Sequence, residues 1–473
     1  MDMSDEQESL KEDMEFNKML KRFERVLKDK SSTYLDVYQF ERIIDHYLDG
    51  NHFKEALDAV NMALSLHPSV SSLVIKQAQI FAEKGEPAKA LSTLAKIETL
   101  ESANNEYHLI KGMAYNQLGK ITEAEKSFDE ALNHTFEDRD EVLYDIALSF
   151  EFIHHYKTAI KYLLKALEDT TDKLEIIYEL AYCYERIHDY HKTIEFFKKY
   201  LDIEPYADSV WHNLGFVYFK TEDYEKAIDA YDYTIAINDR FSSAYLNKAI
   251  AMAHLGKYAD AIGVYKEFLE LEPENVVAMC HLGECLEKTK DYDLASEWYR
   301  KAVHIDPEFS DAWFGLAVCN QHQSENINAL SCIEKAIELD DENSDYWYTL
   351  GNLQVTLGNH KKAMTAYRKA IELDPYDYEA WINLADLEND RGGTEKAVRI
   401  LLDASEYNFD IAEVNYHIAA YYGLWNKLDL ARQYFEKGLE ISFDIHTVTF
   451  RYCSALKDDL TIKKLIAKYK TDL

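Results

Sequence analysis

Apolar residues along this chain form short stripes at helical spacing, and the stripes recur every 34 residues from Val37 to Ile445. With the first residue of each unit as position 1, the units begin at Val37, Ser71, Asn105, Asp140, Leu174, Asp208, Ser242, Val276, Ser310, Ser344, Tyr378 and Ala412. Arg139 is the single extra residue in that register. In the unit starting at Asp208, Trp211, Leu214, Gly215 and Tyr218 stand at i, i+3, i+4 and i+7, one face of a helix. Ala227, Tyr231 and Thr234 form a second such stripe. Each unit is therefore predicted to be two short helices. A unit of this size buries its apolar face only against its neighbours, so the fold class is an all-α solenoid.

The punctuation agrees with two helices per unit. Position 15 is glycine in five units (Gly85, Gly119, Gly256, Gly358, Gly392), and glycine reaches the left-handed conformation that ends helices. Pro68, Pro205, Pro273, Pro307 and Pro375 all stand at position 32, where the chain leaves the second helix. Position 20 is alanine in every unit except the fifth, which has Thr193, and position 8 is small in all but the first, which has Ile44. Small residues at these two positions let helix backbones approach, with large residues at positions 4, 7, 11 and 24 filling the flanks.

Trp347, Leu350, Gly351, Ala363, Tyr367, Ala370 and Pro375 resemble the pattern of the tetratricopeptide repeat family. The resemblance covers Val37 to Ile445 and implies twelve helix-turn-helix units in a right-handed superhelical solenoid with a C-terminal capping helix. Departures are local: Gln77 and Lys111 replace the usual Leu, and Asn320, Gln354 and Glu388 replace the usual Tyr. The expected organisation is an acidic segment and lead helix over 1–36, twelve repeats over 37–445, and a partial repeat with a basic capping helix over 446–473. Phe16 to Leu27 is expected to cover the first repeat; Leu460, Leu465 and Ile466 are expected to seal the last.

Charge narrows the partner. The formal net charge is -34, and the two terminal segments cancel, so the whole excess lies on the repeats. Such a surface disfavours nucleic acid and anionic lipid and favours a neutral to basic protein or peptide. Acidic charge also keeps a long solenoid from self-associating. No apolar run is long enough to span a bilayer, acidic residues stand where a secretory signal needs positive charge, and six cysteines without a CxxC pair fit a reducing cytoplasm.

No catalytic motif is present: neither GxxxxGK[ST], GxGxxG after a strand, HExxH nor GxSxG occurs. His154–His155 and His188–His191 fall at the inter-helix turn with no third ligand at metal spacing. The expectation is a non-catalytic protein without metal or cofactor.

The resemblance implies that positions 2, 5, 6, 9, 12 and 13 of the first helices line a concave groove. Large residues off the core stripe cluster there in units four to six: Tyr144, Tyr178 and His212 at position 5, Tyr182 and Phe216 at position 9. Asn213 and Asn247 at position 6 match the amide ladder with which some family members grip an extended main chain, and His281, Gly315 and Thr349 break that ladder. Position 2 is acidic in seven units, which makes an acidic rim or complements helix dipoles. The clamp some members use for a terminal carboxylate is absent, because Glu413 and His417 stand where cations are required. The expected function is an interaction scaffold that holds a partner segment in this groove. The alternatives are an assembly protein that self-associates through Asn415, Gly438 and the basic tail, and a peptide-responsive regulator of an enzyme or transcription factor.

Overall fold

The computed structural model describes residues 16–25, 35–171, 173–407 and 410–470. The acidic residues 1–15 and Leu27 lie outside them. Among the described residues the chain is helical throughout, with no strand. Each repeat contributes a first helix over about positions 1–13 and a second over about positions 17–30, as in Asp208–Lys220 and Tyr224–Ile237 of repeat six. The molecule divides into two compact units, Met1–Glu222 and Asp223–Leu473, and the division falls at the turn of repeat six.

Within each unit the small-residue rule acts through specific rings. The alanines at position 20 are fully buried, from Ala56 to Ala431, and so is Thr193. Thr193 is accommodated because its Oγ1 donates to Asp189 O at 3.1 Å, which satisfies the hydroxyl inside its own helix. In repeats three, eight and ten position 8 is glycine because the ring at position 24 of the same repeat lies against it. A Cβ on Gly283 would stand 2.5 Å from Tyr299, and Gly112 and Gly351 meet Phe128 and Tyr367 in the same way.

The turn mechanism extends to all twelve repeats. Besides the five glycines, Asn51, His154, His188, Glu222, Lys290, Ser324 and Asn426 at position 15 adopt positive φ of 56–65°. The geometry of the turn, and not the residue type, sets this backbone. The extra residue Arg139 is absorbed as an added N-terminal residue of the helix Arg139–Phe152, entered through Asp138 at φ 53°.

In repeats six, nine, ten and eleven a tryptophan at position 4 ties the repeat to the turn before it. The indoles of Trp211, Trp313, Trp347 and Trp381 donate to the carbonyls of Pro205, Pro307, Asp341 and Pro375 at 2.9–3.0 Å. Each acceptor is at position 32, so the tryptophan orients its helix against a carbonyl of the preceding turn.

Two expectations change. The second helix of repeat two is only Pro87–Leu94, after which the chain turns and sends Ile97 into the core. Leu460 is 75 % exposed and seals nothing, because it is the first residue of its helix (Leu460–Lys470). Ile462 is fully buried in its place, Leu465 and Ile466 pack at the edge of that core, and Arg432 anchors the helix through Asp459 at 2.6 Å. The polar residues replacing Tyr at position 11 lie in the core: Asn320, Gln354 and Glu388 are all buried. At the other end, Phe23 of the helix over 16–25 is buried against Phe40 and Tyr47.

Candidate partner-binding face

The first helices of repeats four to six, Arg139–Phe152, Leu174–Arg186 and Asp208–Lys220, carry six of the seven candidate residues, all in the first compact unit. Their stripe at positions 4, 7, 8 and 11 enters the core, which leaves positions 5, 6, 9, 12 and 13 on the other side of each helix. The structure connects these residues in pairs across repeats. The Tyr144 hydroxyl donates to Glu175 Oε1 at 3.0 Å, and Asn213 Nδ2 donates to the Tyr178 hydroxyl at 3.2 Å. The Tyr178 ring leans on Phe197 and Tyr200.

Tyr182 and Phe216 are less committed. Tyr182 is half-buried, edge-on to Tyr156, with the Arg186 guanidinium 6.0 Å from its ring centre. Phe216 is 37 % exposed beneath the Lys220 ammonium. His212 is half-buried, and that burial lowers its pKa, so its ring favours the neutral form. Asn247 belongs to the second unit, on the helix Ser242–His254.

Beside these rings, acids occupy position 6, which the pattern of large residues off the core stripe does not mark. In repeats four to seven this position reads Asp145, Glu179, Asn213 and Asn247. Burial, reinforced by Glu141, pushes the Asp145 carboxyl up to about 6. Glu179 is raised to about 7 by burial and by Glu151, whose carboxyl is raised with it, and the two share a hydrogen bond. Cys183 Sγ also reaches Glu151 Oε2 at 3.6 Å, and burial suppresses its ionisation. The usable signal was register: both acids sit where the amides stand one and two repeats later.

Repeats ten and eleven in the second unit repeat the pairing without the acids at position 6. Tyr348 donates to Glu379 Oε2 at 2.8 Å, and Asn383 Nδ2 donates to the Tyr348 hydroxyl and to Asn352 Oδ1, both at 3.3 Å. Tyr367 donates to the same Asn352 oxygen at 2.7 Å. The acidic rim is thus partly engaged within the protein, through Glu175, Glu379, Asp311 (bound by Tyr346) and Glu106 (bound by Lys76). Gly315 breaks the amide ladder because the Tyr299 ring of the preceding repeat occupies the space a Cβ would need.

Family models described as tetratricopeptide repeat match residues 75–140, 212–275, 246–308, 344–387 and 412–445, together roughly half of the chain. The chain is a tetratricopeptide repeat protein. A model for subunit 3 of the anaphase-promoting complex, or cyclosome, matches residues 153–234. No curated protein matches the chain. Among solved structures, a MamA protein is 26 % identical over 35 % of this chain and 91 % of its own, at a TM-score of 0.32. MamA from Desulfovibrio magneticus RS-1 is 24 % identical over 36 % and 96 %, at 0.34. YrrB, described as a TPR protein with an unusual peptide-binding site, is 22 % identical over 40 % and 96 %, at 0.33. Tetratricopeptide repeats are interaction modules, and that general role is the one this chain's repeats carry.

Among the described residues no helix is long and apolar enough to cross a membrane, and no group of three or more His, Cys, Asp or Glu is placed to hold a metal ion. His154 and His188 instead occupy the left-handed turn position, each with its Nδ1 bonded to the hydroxyl of a tyrosine two residues on, Tyr156 and Tyr190.

Proposed function

We propose that this protein is a non-catalytic scaffold that holds a neutral to basic segment of another protein along the first helices of repeats four to six. Tyr144, Tyr178, Tyr182, His212 and Phe216 supply the contact area, and Asn213 supplies hydrogen bonds to the partner's main chain. The observation that carries this reading is the state of Tyr182 and Phe216: large rings off the core stripe, left partly exposed. Exposed aromatic clusters of this kind favour a partner surface, and tyrosine adds a hydroxyl at little rotamer cost. Asn213 already donates to Tyr178, so a partner backbone replaces that bond and does not meet a free amide. The excess of acidic charge supports a neutral to basic partner and speaks against a phosphate backbone.

The test is affinity capture at low and moderate salt with wild type and the Tyr182→Ala/Phe216→Ala double variant. Partners lost from the variant at unchanged helicity support the reading, and partners fully retained overturn it. A second reading has support of its own, since residues 153–234, with five of the candidate residues, match a model for a subunit of a multi-protein complex. On that reading the partner is a permanent neighbour, and the captured complex survives dilution and gel filtration. Self-association through repeat twelve has weaker grounds. Asn415 is buried and bonded to Ile411 O, Gly438 makes room for the Tyr416 ring, and Lys468 of the basic tail pairs with Glu436.

A further inference from the structure

The first helices of repeats two to four, Ser71–Glu83, Asn105–Gln117 and Arg139–Phe152, line an open cleft of about 140 Å³ within the first compact unit. Its lining comes almost wholly from positions 6, 9, 12 and 13, the face on which the proposed function places the partner. Ile110, Met113 and Leu148 make an apolar wall, and Phe152, 69 % exposed, stands at the edge. The polar lining is Gln79, Glu83, Gln117, Asp145 and Ser149, and the Gln79 amide already donates to Glu83 Oε1 at 2.9 Å. Asp145 and Glu83 are carboxylates, and Gln117 Oε1 is a buried acceptor without a hydrogen-bond partner, while its Nε2 is spent on Ala82 O at 3.0 Å. No donor among the described residues is bonded to Asp145, and no lysine or arginine lines the cleft.

We infer that this cleft receives the side chain of a lysine or arginine from the partner segment, its aliphatic stem against Ile110, Met113 and Leu148 and its cationic head on Asp145. The inference rests on the groove-binding reading above and gives the partner a chemical requirement.

Two arguments select this occupant. A cavity of about 150 Å³ holds a benzene-sized guest when its walls are apolar, so there is room for one long side chain. An aliphatic guest would leave Asp145 without a donor, and a carboxylate would be repelled. A buried acceptor left unpaired is costly, whereas a bond to a charged donor is among the stronger ones. The protein makes the matching interaction itself two repeats earlier. There Lys76, at position 6, lies between Asp45 at 3.0 Å and Glu106 at 3.4 Å. At position 6 of repeat four the chain has Asp145 and no cation of its own.

The test follows the Met113 methyl resonance in protein carrying 13C-methyl methionine. It is titrated with acetyl-Ala-Ala-X-Ala-Ala-amide peptides in which X is lysine, arginine, norleucine or glutamate. Lysine and arginine peptides are expected to give a saturable shift at Met113 and none at Met279 in the second unit. Norleucine is expected to bind about tenfold more weakly, as is lysine to Asp145→Asn, whose near-isosteric amide keeps the melting temperature. Added salt is expected to weaken the lysine peptide and leave norleucine unchanged. A norleucine peptide that binds as well as lysine, or no saturable shift with either cation, overturns the inference. Lysate capture does not enter this result: lost partners in the Tyr182→Ala/Phe216→Ala variant leave the peptide titration as it was, so the two readings fail separately.

Discussion

Repeats four and five and repeats ten and eleven share one device: a position 5 tyrosine reaches an acid at position 2 of the next repeat. They differ in what fills position 6. In repeats ten and eleven the amide of Asn383 completes a network with Tyr348, Asn352 and Tyr367, and each group there has a partner. In repeats four and five the same register holds Asp145 and Glu179, half-buried carboxyls whose pKa values are raised because burial and neighbouring acids oppose their charge. One network closes within the protein and contributes to its structure. In the other, Glu179 shares a hydrogen bond with Glu151 while Asp145 has no bonded donor among the described residues, which is the condition a binding surface requires before its partner arrives.

The largest expected effect breaks the closed network. Asn383→Leu leaves Tyr348 and Asn352 short of a donor and is expected to destabilise the second unit by about 1–3 kcal/mol, read by urea denaturation. Little change in midpoint would show that the network is not structural. Glu179→Gln is expected to act in the opposite sense, and only at higher pH. The folded-state pKa of Glu179 lies above the unfolded value, so its contribution is present below the ordinary carboxylate range and is lost as pH rises toward about 7. The variant should therefore melt higher than wild type at pH 8, by on the order of 1 kcal/mol after solvent screening of a half-exposed group, and the same at pH 4. A difference that is largest at acid pH would contradict the assignment. The smallest effects test the turn shared by both regions. His188→Gly in repeat five and Gly358→Ala in repeat ten are expected to shift stability by about 0.5–1 kcal/mol, the first upward and the second downward, because both positions hold positive φ.

The repeat itself was legible from period, glycine and alanine, because those signals recur at fixed positions. The left-handed turn was visible at only five repeats. At His188, Glu222 or Lys290 the residue type gives no sign of the backbone it adopts, and only register with Gly85 or Gly358 reveals it. Gly315 was opaque for another reason: its cause is the Tyr299 ring, contributed by a different repeat, and contacts between repeats are not written in the pattern of either. The candidate face was half legible. Tyr182 and Phe216 stand out as large rings off the core stripe, but Asp145 and Gln117 belong to a chain rich in acids and amides. Only the structure distinguishes a buried acceptor without a partner from a solvated one.

The most direct test of the central claim sets the two regions against each other in one capture experiment from lysate. Tyr182→Ala/Phe216→Ala is compared with Tyr348→Ala/Asn352→Ala, each checked for retained helicity. Loss of partners from the first variant and their retention by the second is the predicted result. Partners retained by the first, or lost equally from both, would contradict the assignment of binding to repeats four to six.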